Sequence, residues 1–145
     1  MKELSKDIET IQVANLTTSG TSAHNGTPVD MEGAEGVRFI VPITSAAATS
    51  VVVAKAAEGA STSAFNALAA TSAAITATTD TTGNNKVLIV DVRNPKDRYV
   101  QVQTTRTTAV AVLGAIIAEK YGLKKLPPTQ DSSVVAQTVS VSPST

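Results

Sequence analysis

Large apolar side chains at alternate positions, Val37, Phe39, Val41 and Ile43, constrain this 145-residue chain more than any other feature. A period of two places all of them on one face of an extended strand, whereas a helix would scatter them around its surface. No sustained 3.6-residue period competes elsewhere, so strands set the architecture. Pro42 lies inside this segment and cannot donate a ladder hydrogen bond, which predicts a strand at an edge or with a bulge near its end.

Other strands follow from short apolar runs bounded by turn residues. Ile8 to Leu16 alternates through Ile11 and Val13, and a polar loop from Thr17 to Thr27 follows, containing the turn dipeptide Asn25-Gly26. Pro28 to Met31 reads as a short edge strand, and Ser50 to Ala56 as a longer one. Between Ala57 and Asp80 the chain is nearly all Ala, Ser and Thr. A short helix over Ser63 to Ala69 competes there with an extended loop and a strand at Ala73 to Thr78. The extended reading is preferred, because interleaved Thr and Ser draw the backbone out of a helix. After a turn at Asp80 to Asn85, Lys86 to Val92 is apolar at nearly every position, as in a strand covered on both faces. Asn94-Pro95-Lys96-Asp97 turns the chain into the alternating Tyr99 to Gln103, and a Thr-rich turn at Thr104 to Thr108 leads to an apolar strand over Ala109 to Ala118.

About eight strands in a chain of this length predict an all-β, single-domain jelly-roll or Greek-key β-sandwich, with loops such as Thr17 to Thr27 and Ala57 to Ala70 crossing between sheets. The domain is expected over residues 1–128, and residues 129–145 as a C-terminal arm in which Val134, Val135, Val139 and Val141 could still form a strand. With 3% aromatic residues and no Trp, the core must be assembled from Val, Ile, Leu and Ala.

Charge and chemistry narrow the function. Twelve basic and twelve acidic residues cancel, which removes the positive field that nucleic-acid binding uses and any special pull towards anionic membranes. No apolar stretch follows the charged N-terminus to serve as a signal-peptide core, and Ala109 to Ala118 is about half the roughly 20 residues a membrane helix needs. The absence of Cys excludes disulfides, thiolate zinc sites and thiol nucleophiles. His24, the single histidine, lies in the polar loop without a second ligand or nucleophile and reads as solvated. No nucleophile elbow, Walker loop, dinucleotide fingerprint or metalloprotease motif is present, so no enzyme and no cofactor is expected. Asp30, Glu32 and Glu35 around Gly33 and Gly36 could approach a hard cation, but their spacing fits no EF-hand loop, and a solvated acidic turn is the plainer reading. The charges around Pro95 (Asp91, Arg93, Lys96, Asp97, Arg98) read as surface ion pairs. In a functional version, Arg93, Lys96 and Arg98 form a partner interface, since guanidinium forks suit directed contacts.

The segment Asn85 to Val100, a strand and proline turn leading into Arg98-Tyr99-Val100, resembles a signature of the small cement (head-decoration) proteins of tailed bacteriophages. The run Val29-Asp30-Met31-Glu32-Gly33-Ala34-Glu35-Gly36-Val37-Arg38-Phe39 is similar to an early motif of the same family. Tyr121-Gly122, Lys124-Lys125, Pro127 and the ending Val141-Ser142-Pro143 match late ones. The central stretch Ala57 to Ala77 departs by its small residues, and Leu123 and Leu126 interrupt the basic stretch. The resemblance implies a structural virion protein on the outer capsid surface that fastens major capsid subunits and associates with itself as a dimer or trimer. Another virion component, from tail or head completion, is the alternative from the same setting. A ligand-binding β-sandwich is the other, and for a sugar binder the lack of Trp counts against it.

Overall fold

A computed structural model describes residues 4–68, 73–76 and 82–140. The chain order is α1 (Leu4–Asp7), β1 (Glu9–Ala14), β2 (His24–Asn25), β3 (Val29–Asp30), β4 (Gly36–Ala46), β5 (Val51–Gly59), β6 (Asn66–Ala67), β7 (Ala73–Thr76), β8 (Lys86–Arg93), β9 (Tyr99–Thr107), β10 (Ala111–Leu113) and β11 (Ile116–Tyr121). The fold is an all-β sandwich of two antiparallel sheets. In the first, β4 is central, with β8 along one side and β11 then β10 along the other, and β1 lies beyond β11. In the second, β9 and β5 form the centre, β2 and β3 pair with the free side of β9, and β6 and β7 pair with that of β5.

The alternating positions of the sequence meet between the sheets. Val37, Phe39, Val41 and Ile43 of β4 pack with Leu88, Val90 and Val92 of β8 and with Ile116 and Ala118 of β11. The facing layer supplies Val52, Ala54 and Ala56 of β5, Val100 and Val102 of β9, and Val29 of β3. Phe39 is the one aromatic residue in this cluster. Lys120 also points inward, at the end of β11, where Glu9 directly opposite on β1 neutralises it at 2.9 Å.

Pro42 sits in the central strand and not at an edge. A residue's N–H and C=O point to the same side of a strand, and the Pro42 carbonyl accepts from Gly114 N–H at 2.9 Å. The missing donor therefore faces the break between β10 and β11, where the neighbouring ladder is interrupted anyway. The bulge predicted near the end of this strand is present: Ser45 lies opposite Val112 and Ile43 opposite Leu113, which leaves Thr44 as the extra residue. The same break divides the strand expected over Ala109 to Ala118, because Gly114 packs so closely on the Pro42 ring that a Cβ there would sit 3.1 Å from Pro42 Cβ.

Other expectations are corrected. The Thr-rich segment Thr104 to Thr108 continues β9 as far as Thr107, and the chain turns at Thr108, whose φ is 71°. In the Thr17 to Thr27 loop, His24-Asn25 pairs with β9 as β2. This loop does cross from one sheet to the other. Ala57 to Ala70, by contrast, does not cross over its described part: β6 folds back along β5. The described part of Ser63 to Ala69 contains no helix, and β7 occupies the start of the predicted Ala73 to Thr78 strand; residues 69–72 and 77–81 lie outside the described residues. β8 is covered on one face only, with Val87 and Ile89 exposed. The arm forms no strand over residues 129–140; Gln130 and Ser133 instead accept the β1 N–H groups of Thr10 and Gln12 at 2.8 and 2.9 Å.

Arg106 closes one end of the sandwich. It projects inward from β9 at 5% exposure and donates to the carbonyls of Ser22 (2.9 Å), Thr18 (2.8 Å) and, across in the other sheet, Ala111 (2.7 Å). Replacing it with Leu would strand these acceptors, so Arg106→Leu is expected to cost about 3 kcal/mol. In urea denaturation the midpoint should fall with the slope unchanged. Arg106→Lys should recover only part, since an ammonium lacks the planar fork.

Candidate partner interface

The proline turn and the acidic turn meet at one end of the sandwich. β3 brings Asp30 opposite Tyr99, next to Arg98, whose Nε and Nη2 donate to the two Asp30 carboxylate oxygens at 3.0 and 2.8 Å. Glu32 adds a second carboxylate at 2.7 Å, and the guanidinium stands 5.5 Å from the Tyr99 ring centroid. Met31 N–H donates to the Arg98 carbonyl and Asn94 N–H to that of Glu35, so the two turns are joined through backbone as well. The ion pairing expected within the Pro95 cluster thus runs from Arg98 to Asp30 and Glu32. Those acids are engaged by a side chain, and among the described residues no group of three or more acids or histidines is placed to hold a metal.

The predicted interface residues separate into two places. Lys96 and Arg98 border a shallow depression of about 520 Å³ together with Met31, Glu32, Glu35 and Asp97. The Lys96 side chain is exposed and forms no ion pair among the described residues; its backbone N–H donates to Glu58 at 2.9 Å. Arg93 lies outside the depression, at the end of β8 opposite Gly36 and on the outward face of the first sheet.

That outward face was missed in reading the sequence. Across the strands it is organised in rows: Arg93, Gly36 and Tyr121, then Asp91, Arg38 and Glu119, then Ile89, Ile40 and Ile117, with Val87 and Pro42 beyond. Tyr121 lies over Gly36, where any Cβ would overlap its ring, and its hydroxyl donates to Asp91 at 2.6 Å. Arg38 donates to Glu119 at 3.1 Å. Charged rows therefore border an apolar one. The alternation of Ile40, Ile89 and Ile117 with core residues was the available signal, but continuous apolar runs hid it. His24 is half-buried, its Nε2 lying 3.1 Å from the Asn15 carbonyl, and it stands apart from both places.

Compared with known proteins, the sequence matches no family model and, at a significant level, no curated protein. Its reading therefore rests on its own residues and geometry.

Two titrations check the geometry. Burial first, and the Asp91 carboxylate second, push the Tyr121 hydroxyl up to about 12. Since the folded value exceeds the ordinary 10.0, the protonated phenol contributes stability below pH 10, and the contribution is lost as pH rises through about 12. Ultraviolet titration should show a phenolate step near 12 that disappears in Tyr121→Phe. The Arg98 guanidinium holds the Asp30 carboxyl below the usual carboxylate range. That contribution is present above the ordinary carboxylate pKa and lost as pH falls through the lowered one. Asp30→Asn, which can still accept from Glu32 N–H, should be less stable than wild type at pH 7, with the gap closing in acid.

Proposed function

We propose that this chain is a non-enzymatic structural virion protein that binds the outer surface of a tailed-phage capsid and fastens neighbouring major capsid subunits. One observation carries the reading. Among the segments that resemble cement proteins, Val29–Phe39, Asn85–Val100 and Tyr121-Gly122 are far apart in sequence, and parts of all three meet at one end of the sandwich; Val141-Ser142-Pro143 lies outside the described residues. Asp30 grips Arg98, Tyr121 covers Gly36, and Glu35 N–H donates to the Tyr121 carbonyl at 3.0 Å.

The role suits the surface. A shell offers the same site many times, so a small rigid domain needs shape and a few directed contacts, and no reaction. Arg93 and Lys96 provide exposed cations that form no ion pair among the described residues, available to acids or carbonyls on a capsid subunit. Arg98, held by Asp30 and Glu32, serves by fixing the turn that presents Lys96. Self-association as a dimer or trimer would place more than one such end on a local symmetry axis.

The test is co-sedimentation of the purified protein with mature, undecorated capsids of its own phage, scored as copies bound per major capsid subunit. Saturation at a simple fixed ratio is expected. No binding, or a few copies per particle, would move the protein to a tail, a vertex or a role outside the virion. Lys96→Ala and Arg93→Ala should each lower retention on capsids while unfolding as cooperatively as wild type. Unchanged retention would remove that residue from the interface.

A further inference from the structure

β8 has the composition of a strand enclosed on both faces and the cover of a strand enclosed on one. Leu88, Val90 and Val92 face the core at 8%, 3% and 5% exposure, whereas Val87 and Ile89 on the other face are 54% and 52% exposed. Of the large apolar side chains exposed among the described residues, these two alone lie in a strand. Among the described residues β8 is also an edge of its sheet. β4 occupies one side, and no described strand pairs with the other.

The remaining sheet edges are protected in ways β8 is not. The β1 edge is occupied by Gln130 and Ser133 of the C-terminal arm. The edges of the second sheet are built from short strands, β2, β3 and β6 of two residues each and β7 of four. β8 runs for eight residues with no proline and no register shift against β4. An edge of this kind is a template for another strand.

We infer that the occupant is β8 of a second copy, paired antiparallel about a two-fold axis through Leu88. Residues directly opposite in such a pair share a face, so the choice of register can be tested residue by residue. Centring on Ile89 puts Val87 against the Asp91 carboxylate, and centring on Val90 puts Ile89 there. Centring on Asp91 sets two carboxylates face to face, and centring on Lys86 sets two ammonium groups so. Centring on Val92 matches Asp91 with Arg93 but leaves Val87 and Ile89 unpaired. Centring on Val87 matches that residue with itself but sets Ile89 against Asn85, outside the strand and in a left-handed turn conformation. Centring on Leu88 matches Val87 with Ile89 twice, Leu88 with itself and Val90 with the Lys86 stem, all within β8 and with no like charges opposed.

This register also continues the outward apolar row. Ile117, Ile40 and Ile89 of one copy are followed by Val87 and Pro42 of the other, and the reverse, each directly opposite the next. A second copy fits for a further reason: twelve positive and twelve negative charges leave no net repulsion between identical chains.

The experiment uses pure protein without capsids, so its outcome is separate from that of the capsid reading. Sedimentation equilibrium should give twice the 14.8 kDa of one chain, and Ile89→Lys, a change at an exposed position, should halve that mass with its circular dichroism unchanged. Because the chain has no cysteine, Val87→Cys and Ile89→Cys variants report the register directly. Oxidising a mixture of the two should give covalent dimer that neither forms efficiently alone. Efficient cross-linking of Ile89→Cys by itself would overturn the Leu88 register. A wild-type monomer at high concentration would overturn the self-pairing. If that monomer also lost capsid retention on Ile89→Lys, the edge would belong to the capsid subunit instead.

Discussion

A permanently charged guanidinium, buried with no carboxylate bound to it among the described residues, ties the two sheets together at one end. Arg106 belongs to one sheet, donates to the Ala111 carbonyl of the other, and holds the crossing loop through Thr18 and Ser22. Thr17 extends the arrangement. Its hydroxyl lies 3.3 Å from the guanidinium and accepts from Leu113 N–H at 2.8 Å. Charge buried in this way is tolerated because carbonyl dipoles satisfy it. The loop that carries the chain between sheets is therefore held by a residue distant in sequence.

The opposite end is closed by different means. There the proline turn and the acidic turn are bound by exposed ion pairs and backbone bonds, and Tyr121 braces β11 against β8 across a glycine. Exposed pairs contribute little to stability. Their effect is positional: they fix where Lys96 and Arg93 stand. One end of the molecule is held by a buried charge, and the other by charge at the surface.

Much of this was legible in the residues. Alternation at Val37 to Ile43 gave the central strand and its core face, and the Asn-Pro turn gave the β8 to β9 connection. Pro42 gave the bulge near the end of β4 but misled about the edge, because the rule about proline and edges concerns one missing donor, and a gap in the neighbouring strand satisfies that rule equally well. The Thr run misled because β-branched residues suit a strand as readily as a turn. The cover of β8 was misjudged for another reason: periodicity distinguishes apolar from polar, and it does not say whether the second layer comes from the same chain. Of the candidate interface, Lys96, Arg93 and Arg98 were visible as charges near a turn. The pairing of Arg98 with Asp30 was not, since it depends on β3 and β9 becoming neighbours.

The core has a mechanical consequence. Apart from Phe39 its large members are aliphatic, many of them valines, whose branched Cβ leaves few rotamers to visit. β4, at the centre of this packing, is bonded along both sides to antiparallel strands. Tension applied along β4 would load those bonds in shear, so that they resist together, whereas tension across the sheet would open them one at a time like a zipper. The molecule is consequently anisotropic, stiff along the strands and weaker across them, and a body bridging two others carries most load when its strands lie along the line that joins them.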